Sequence, residues 1–187
     1  MRPTIKVLLI EDDEAEALDI RKKLEQAETV RFETVHTVSL KAALQFLAMR
    51  DDSVDVVLLD LSLPDSIGYD TVTAFAKETS LPFLVLTGND NLEMAMRTIR
   101  LGACDYLIKN EIMPKALERA VCMAVGKAGR ERARRHLEYD TLNQLIPDKQ
   151  VTVLLLQPLL SRLIEFIEDV EGYLRTNAPA LMPDIDS

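Results

Sequence analysis

VDVVLLD, residues 54 to 60, decides the fold. From Val56 to Leu59 the run is apolar at every position instead of at every second one. A strand with one face in water alternates; a strand apolar on both faces needs cover on both sides, as in a parallel sheet between layers of helices. PFLVL (82–86) repeats the pattern, and IKVLLI (5–10), RFETVH (31–36) and CDYLI (104–108) are further short strand candidates. Helical patterns separate them. Ala17, Ile20, Leu24 and Ala27 lie on one helical face after IKVLLI, and Ser39 is placed to cap a helix carrying Leu40, Ala43, Leu44 and Leu47. Gly102 ends a helix through Met94, Thr98 and Leu101, and Pro114 opens another. Five strand–helix units predict an α/β, doubly wound, five-stranded parallel sheet.

Length and composition agree. With 187 residues and 48% hydrophobic content, the chain is long enough for one full core and a smaller appendage. The formal net charge of −9 speaks against nucleic acid, whose phosphates are held by excess Lys and Arg. Protein partners or cations suit the chain better. Cys104 and Cys122 lie in apolar patterns without framework spacing and read as buried thiols in a reducing compartment. The apolar run after MRPTIK is too short for a signal peptide, and no stretch of about 18 apolar residues is present to cross a bilayer. The expected location is cytoplasmic, away from membrane.

Four of the apolar runs end in a distinctive polar group: Glu11 and Asp12, Asp60, Thr87, and Lys109. All fall at carboxyl ends of strands, which meet along one edge of an open parallel sheet, where ligands bind. Glu11, Asp12 and Asp60 brought together would repel unless a hard cation joined them. Mg²⁺ takes one or two carboxylates and keeps positions for phosphate oxygens. The next acid, Asp13, matches a capping box with Glu16 three residues on, and contact with the metal is its other reading. Glu11 and Asp12 could also serve the helix dipole alone, Lys109 could be a solvated lysine and Thr87 an ordinary strand residue. Those readings leave the shared placement of the four strand ends without a cause.

LLIEDD, LLDLSLPDSIGYD, LTG and DYLIK stand in this order over residues 4 to about 125, and the chain there resembles the receiver domain of bacterial two-component response regulators. The resemblance implies a flavodoxin-like receiver domain over 1–125 that is a signalling acceptor and not an enzyme. It implies that Asp60 is the phosphoacceptor and that Mg²⁺ is held by Glu11, Asp12, Asp60 and the backbone carbonyl of Ser62. Thr87 and Lys109 would contact the phosphoryl group, and Tyr106 would join Thr87 as a switch residue; Tyr106 also reads as a half-buried core aromatic. The implied partner is a sensor histidine kinase or a phosphotransfer protein. One position departs from the family pattern: Asn110 follows Lys109 where proline with a cis bond is usual, and since a cis bond before a non-proline residue costs about 2.5–4 kcal/mol, both cis and trans stay open at Lys109–Asn110 and with them the reach of the lysine.

Residues 126–187 read as an α-helical extension. The basic residues Lys127, Arg130, Arg132, Arg134 and Arg135 make a solvated helix face or a binding patch, and His136 is an isolated imidazole. From 137 to 187 there are nine acidic residues against three basic ones, which argues against a DNA-binding output. HLEYDTLNQLIPDK (136–149) faintly resembles the linker that opens diguanylate cyclase domains, but no GG(D/E)EF motif is present. Leu156, Leu159, Leu163, Phe166, Val170 and Tyr173 alternate spacings of three and four, a heptad-like seam suited to a homodimer through the C-terminal helices. A regulatory piece of a longer signalling enzyme, such as a cyclase or hybrid kinase, and a scaffold that is never phosphorylated are the competing readings.

Overall fold

The structure is a computed structural model that describes residues 2–50, 54–88, 90–145 and 161–162. The seam at 156–173 therefore lies outside the described residues, apart from 161–162. Elements follow in the order β1 (Thr4–Ile10), α1 (Glu14–Glu25), β2 (Arg31–Thr37), α2 (Leu40–Arg50), β3 (Val56–Asp60), β4 (Ser62–Leu63), β5 (Ser66–Ile67), α3 (Tyr69–Glu78), β6 (Phe83–Thr87), α4 (Leu92–Arg100), β7 (Asp105–Ile108) and α5 (Pro114–Leu145). Five strands form one parallel sheet in the order β2-β1-β3-β6-β7. The expected doubly wound sheet is thus present. The antiparallel pair β4–β5 is an addition that two-residue strands leave unreadable in sequence.

The central strands behave as their composition requires. Every residue of β3 and β6 is buried, whereas β2, at the sheet edge, alternates exposed and partly buried positions. Side chains divide by parity onto the two faces. Ile5, Val7, Leu9, Val56, Leu58, Leu84 and Leu86 meet Ala17, Ile20 and Leu24 of α1 and Leu117, Val121 and Ala124 of α5. Leu8, Ile10, Val57, Leu59, Phe83 and Val85 face Leu40, Ala43 and Leu47 of α2 and Val72 and Phe75 of α3. Each face thereby buries on the order of ten apolar side chains, worth roughly 1.5–3 kcal/mol each in transfer free energy before chain entropy is subtracted.

Local chemistry sets the helix ends. Asp13 caps α1, accepting from the amides of Ala15 at 2.8 Å and Glu16 at 3.0 Å. Ser39 Oγ accepts from Ala42 N, and Asp65, from the β4–β5 turn, accepts from the amides of Leu40 and Lys41 at 3.0 and 2.8 Å. Helix α4 closes with two bonds, Gly102 N to Ile99 O and Ala103 N to Thr98 O, around Gly102 at φ +103°, a left-handed position that favours glycine. Cys104 and Cys122 are half-buried free thiols, more accessible than their apolar neighbours suggest, because one lies just before the edge strand β7 and the other on the flank of α5.

The chain divides into two compact units, Met1–Ala133 and Arg134–Ser187. In α5, Lys127, Arg130, Arg132, Arg134 and Arg135 are all exposed. No helix among the described residues is long and apolar enough to cross a membrane.

Candidate functional site

Helix α1 leaves the sheet after β1, and the chain crosses to the opposite face after β3, so a crevice opens between the carboxyl ends of these neighbouring strands. Ile10 pairs with Leu59 in register, which brings Glu11 beside Asp60 one step further along. Glu11 is fully buried and Asp60 is 2% exposed, while Asp12 stands at the surface. Carboxylate oxygens of these three residues lie within 4.8 Å of one another. Backbone bonds fix the first strand end: Glu11 N donates to Thr37 O at 3.0 Å, and His36 Nε2 lies 2.7 Å from Glu11 O.

β7 brings Lys109 into the crevice. Its amide donates to Thr87 O at 2.8 Å, and its side chain is 8% exposed. Lys109 Nζ lies 2.7 Å from Asp60 Oδ1, 2.6 Å from Glu11 Oε2 and 2.5 Å from Glu16 Oε2. The other Asp60 oxygen, Oδ2, accepts from Ser62 N at 2.8 Å. Peptide bonds of the described residues are all trans, Lys109–Asn110 included. Lys23 Nζ of α1 donates to the carbonyl of Lys109 at 3.2 Å and pairs with Asp19 at 2.6 Å.

An ammonium within 2.7 Å of three carboxylates makes a strong local field. Burial pushes the Glu11 carboxyl up to about 7; the Lys109 contact opposes that and the charge of Asp60 adds to it. Burial would pull the Lys109 ammonium down, but hydrogen bonds to Asp60, Glu11 and Glu16 reverse the effect and hold it above the ordinary lysine range. Glu11 Oε2 is buried and shares the Lys109 ammonium with Asp60 and Glu16.

The positions singled out in sequence fall as follows. Glu11, Asp12, Asp60 and Lys109 converge, with Ser62 beside Asp60. Thr87, buried at the end of β6, shares a sheet face with Val85, and Tyr106 pairs with Val85 in register, so Thr87 and Tyr106 are diagonal neighbours on one face. Tyr106 is partly buried against the core on that side. Asp13 performs its capping role, but Glu16 does not return the bond: the Asp13 amide turns to Glu11 Oε1 at 3.3 Å and Glu16 goes to Lys109. Glu16, Lys23 and His36 are the parts of the site that sequence reading missed. Their partners are distant in the chain or lie on the backbone, and no local pattern records such contacts.

The model of the response regulator receiver domain matches residues 7–121. A two-component response regulator of Arabidopsis thaliana is 28% identical over 105 residues, covering 56% of this chain and 20% of the relative. Another, from Oryza sativa subsp. indica, is 30% identical over 105 residues, 56% of this chain and 16% of that protein. The match spans a fifth or less of the length of these curated relatives. Among solved structures, a response regulator receiver domain protein from Clostridium thermocellum is 27% identical with a TM-score of 0.58, covering 66% of this chain and 95% of that one. A Francisella response regulator receiver domain is 26% identical with a TM-score of 0.56, covering 66% and 98%. With the matched segment running from β1 into α5 and carrying the whole carboxylate and lysine constellation, the chain belongs to the response regulator receiver domain family of two-component signalling.

Proposed function

We propose that Asp60 accepts a phosphoryl group from the phosphohistidine of a sensor histidine kinase or a phosphotransfer protein, and that the phosphorylated chain signals through protein contacts. The observation that carries this reading is Asp60 itself. It is a 2%-exposed carboxylate at the sheet's switch point, with one oxygen on an ammonium and the other on a backbone amide. In the transfer an Asp60 oxygen attacks phosphorus in line, the phosphorus–nitrogen bond breaks, and its electron pair returns to the departing imidazole. The phosphoryl group remains on the chain as its message, so this is the role of an acceptor and not of an enzyme.

The donor set suits Mg²⁺: all the oxygens are hard, and three carboxylates lie within 4.8 Å of one another. Glu11, Asp12, Asp60 and the Ser62 carbonyl would hold it. When bound, it would neutralise charge between Asp60 and the incoming phosphoryl oxygens. Lys109 then supplies a point charge to a phosphoryl oxygen, and the Thr87 hydroxyl turns toward another while Tyr106, its diagonal neighbour, repacks. A cytoplasmic setting and a homodimer through the C-terminal helices complete the proposal.

Intact mass after exposure to acetyl phosphate tests it. One phosphate adduct that needs Mg²⁺ and is lost in Asp60→Asn is expected. Equal modification of Asp60→Asn would place the acceptor elsewhere.

A further inference from the structure

Lys109 has more anionic partners than a cation-loaded site would leave to it. Its ammonium lies 2.6 Å from Glu11 Oε2 and 2.7 Å from Asp60 Oδ1, two carboxylates of the acidic cluster that a divalent ion would share. An ammonium and a divalent cation sharing the same oxygens repel each other, so entry of the ion must loosen at least one of these contacts. The third partner differs in kind. Glu16 belongs to α1 and not to the carboxylate cluster, its side chain is 47% exposed, and its Oε2 is 2.5 Å from the ammonium. One face of α1 in fact grips Lys109 twice, since Lys23, about two turns after Glu16, binds the Lys109 carbonyl. The backbone of Lys109 is thereby fixed while its head group has somewhere to go.

We propose that Glu16 is a positioning residue that retains the Lys109 ammonium as Glu11 and Asp60 turn to the divalent cation, so that the cation binds without expelling the lysine from the site. The inference rests on the metal reading given above. Local pattern assigns Glu16 to a capping box, yet the N-terminal amides of α1 are served by Asp13 and the Glu16 carboxylate is committed to a residue 93 positions away. Removing that carboxylate leaves Lys109 only the cation's own ligands as partners, and ammonium and metal then compete directly. The effect of Glu16 on metal binding must therefore pass through Lys109. A carboxylate acting on the ion simply through its field would need no lysine.

The test is a double-mutant cycle on the full chain, read as the Kd for Mg²⁺ by calorimetry. Glu16→Gln keeps a residue suited to the third position of a helix, and circular dichroism confirms that it folds. Its Kd should rise roughly fivefold, the scale of a partly exposed ion pair. In the Lys109→Met background the same substitution should change Kd by less than about twofold. Glu16→Asp, which keeps the charge, should recover most of the wild-type affinity. An equal fold-change in both backgrounds would show a field effect independent of Lys109 and overturn the inference, as would no change in either. Absence of Mg²⁺ binding by the wild-type chain would overturn the metal reading and the inference with it, an outcome distinct from binding without coupling.

Discussion

Glu11 has no accessible surface and lies against both an ammonium and a second carboxylate, and its titration follows from that position. Burial raises its pKa from 4.5 to about 7, so between these values the folded state holds a proton that the unfolded state has released. The unfolded state binds fewer protons there, and stability contributed by this group is present below pH 4.5 and lost as pH rises to about 7. Glu11→Gln cannot ionise, so without metal it should gain on the wild type by about 3 kcal/mol as pH goes from 4.5 to 7.5. Urea titrations at several pH values measure the difference. Saturating Mg²⁺ should reverse the trend, because the ion takes the deprotonated carboxylate and binds more weakly as pH falls through 7. A wild-type and variant difference that stays flat with pH would contradict the assignment. The convergence of Glu11, Asp12, Asp60 and Lys109 is legible in sequence because each follows an apolar strand, and parallel strands bring their carboxyl ends to one edge. Glu16 is misread because acid three residues after a cap satisfies a local rule, while the lysine that claims it enters from β7.

At the scale of elements, β3 and β6 can be read directly, since four or five consecutive apolar residues fit only a doubly covered strand. β2 is as visible through its alternation, because one edge position faces water. The β4–β5 pair is not, for two-residue strands carry no period. Yet this segment supplies one contact of the site, Ser62 N on Asp60 Oδ2, and one helix cap, the Asp65 carboxylate on the first amides of α2. A cap supplied from 25 residues away falls outside any local capping rule. Asp65→Ala should thus cost about 0.5–2 kcal/mol, comparable to Asp13→Ala on α1, because each leaves two helix amides without their acceptor. Denaturant midpoints give both values. Loss of less than about 0.3 kcal/mol in Asp65→Ala would mean that water or Ser39 replaces the carboxylate without penalty.

For the whole molecule, both faces of the receiver's sheet are covered by helices of the first 133 residues, and α5 buries Leu117, Val121 and Ala124 there, while Ile67, Leu92, Met96 and Met123 stay exposed at its surface. The seam from Leu156 to Tyr173 lies outside the described residues except at 161–162, so the case for its burial is a sequence argument. Leu156, Leu159, Leu163, Phe166, Val170 and Tyr173 form one stripe at helical spacing, and Leu160, Ile164, Ile167 and Leu174 widen it. Such a stripe loses roughly 25 cal/mol for each Å² left in water, and ten large side chains make that cost prohibitive for a solvated monomeric helix. The acids Glu165, Glu168, Asp169 and Glu171 fall beside it and can remain hydrated. A second copy offers an identical stripe, and isologous pairing is the commonest closed way to cover one. Sedimentation of the full chain should give a dimer at micromolar concentration, and truncation after residue 136 should give a monomer that still takes phosphate on Asp60. A full-length monomer, or a truncated chain that dimerises with equal strength, would assign the stripe to a different partner and leave the receiver's reaction with phosphate untouched.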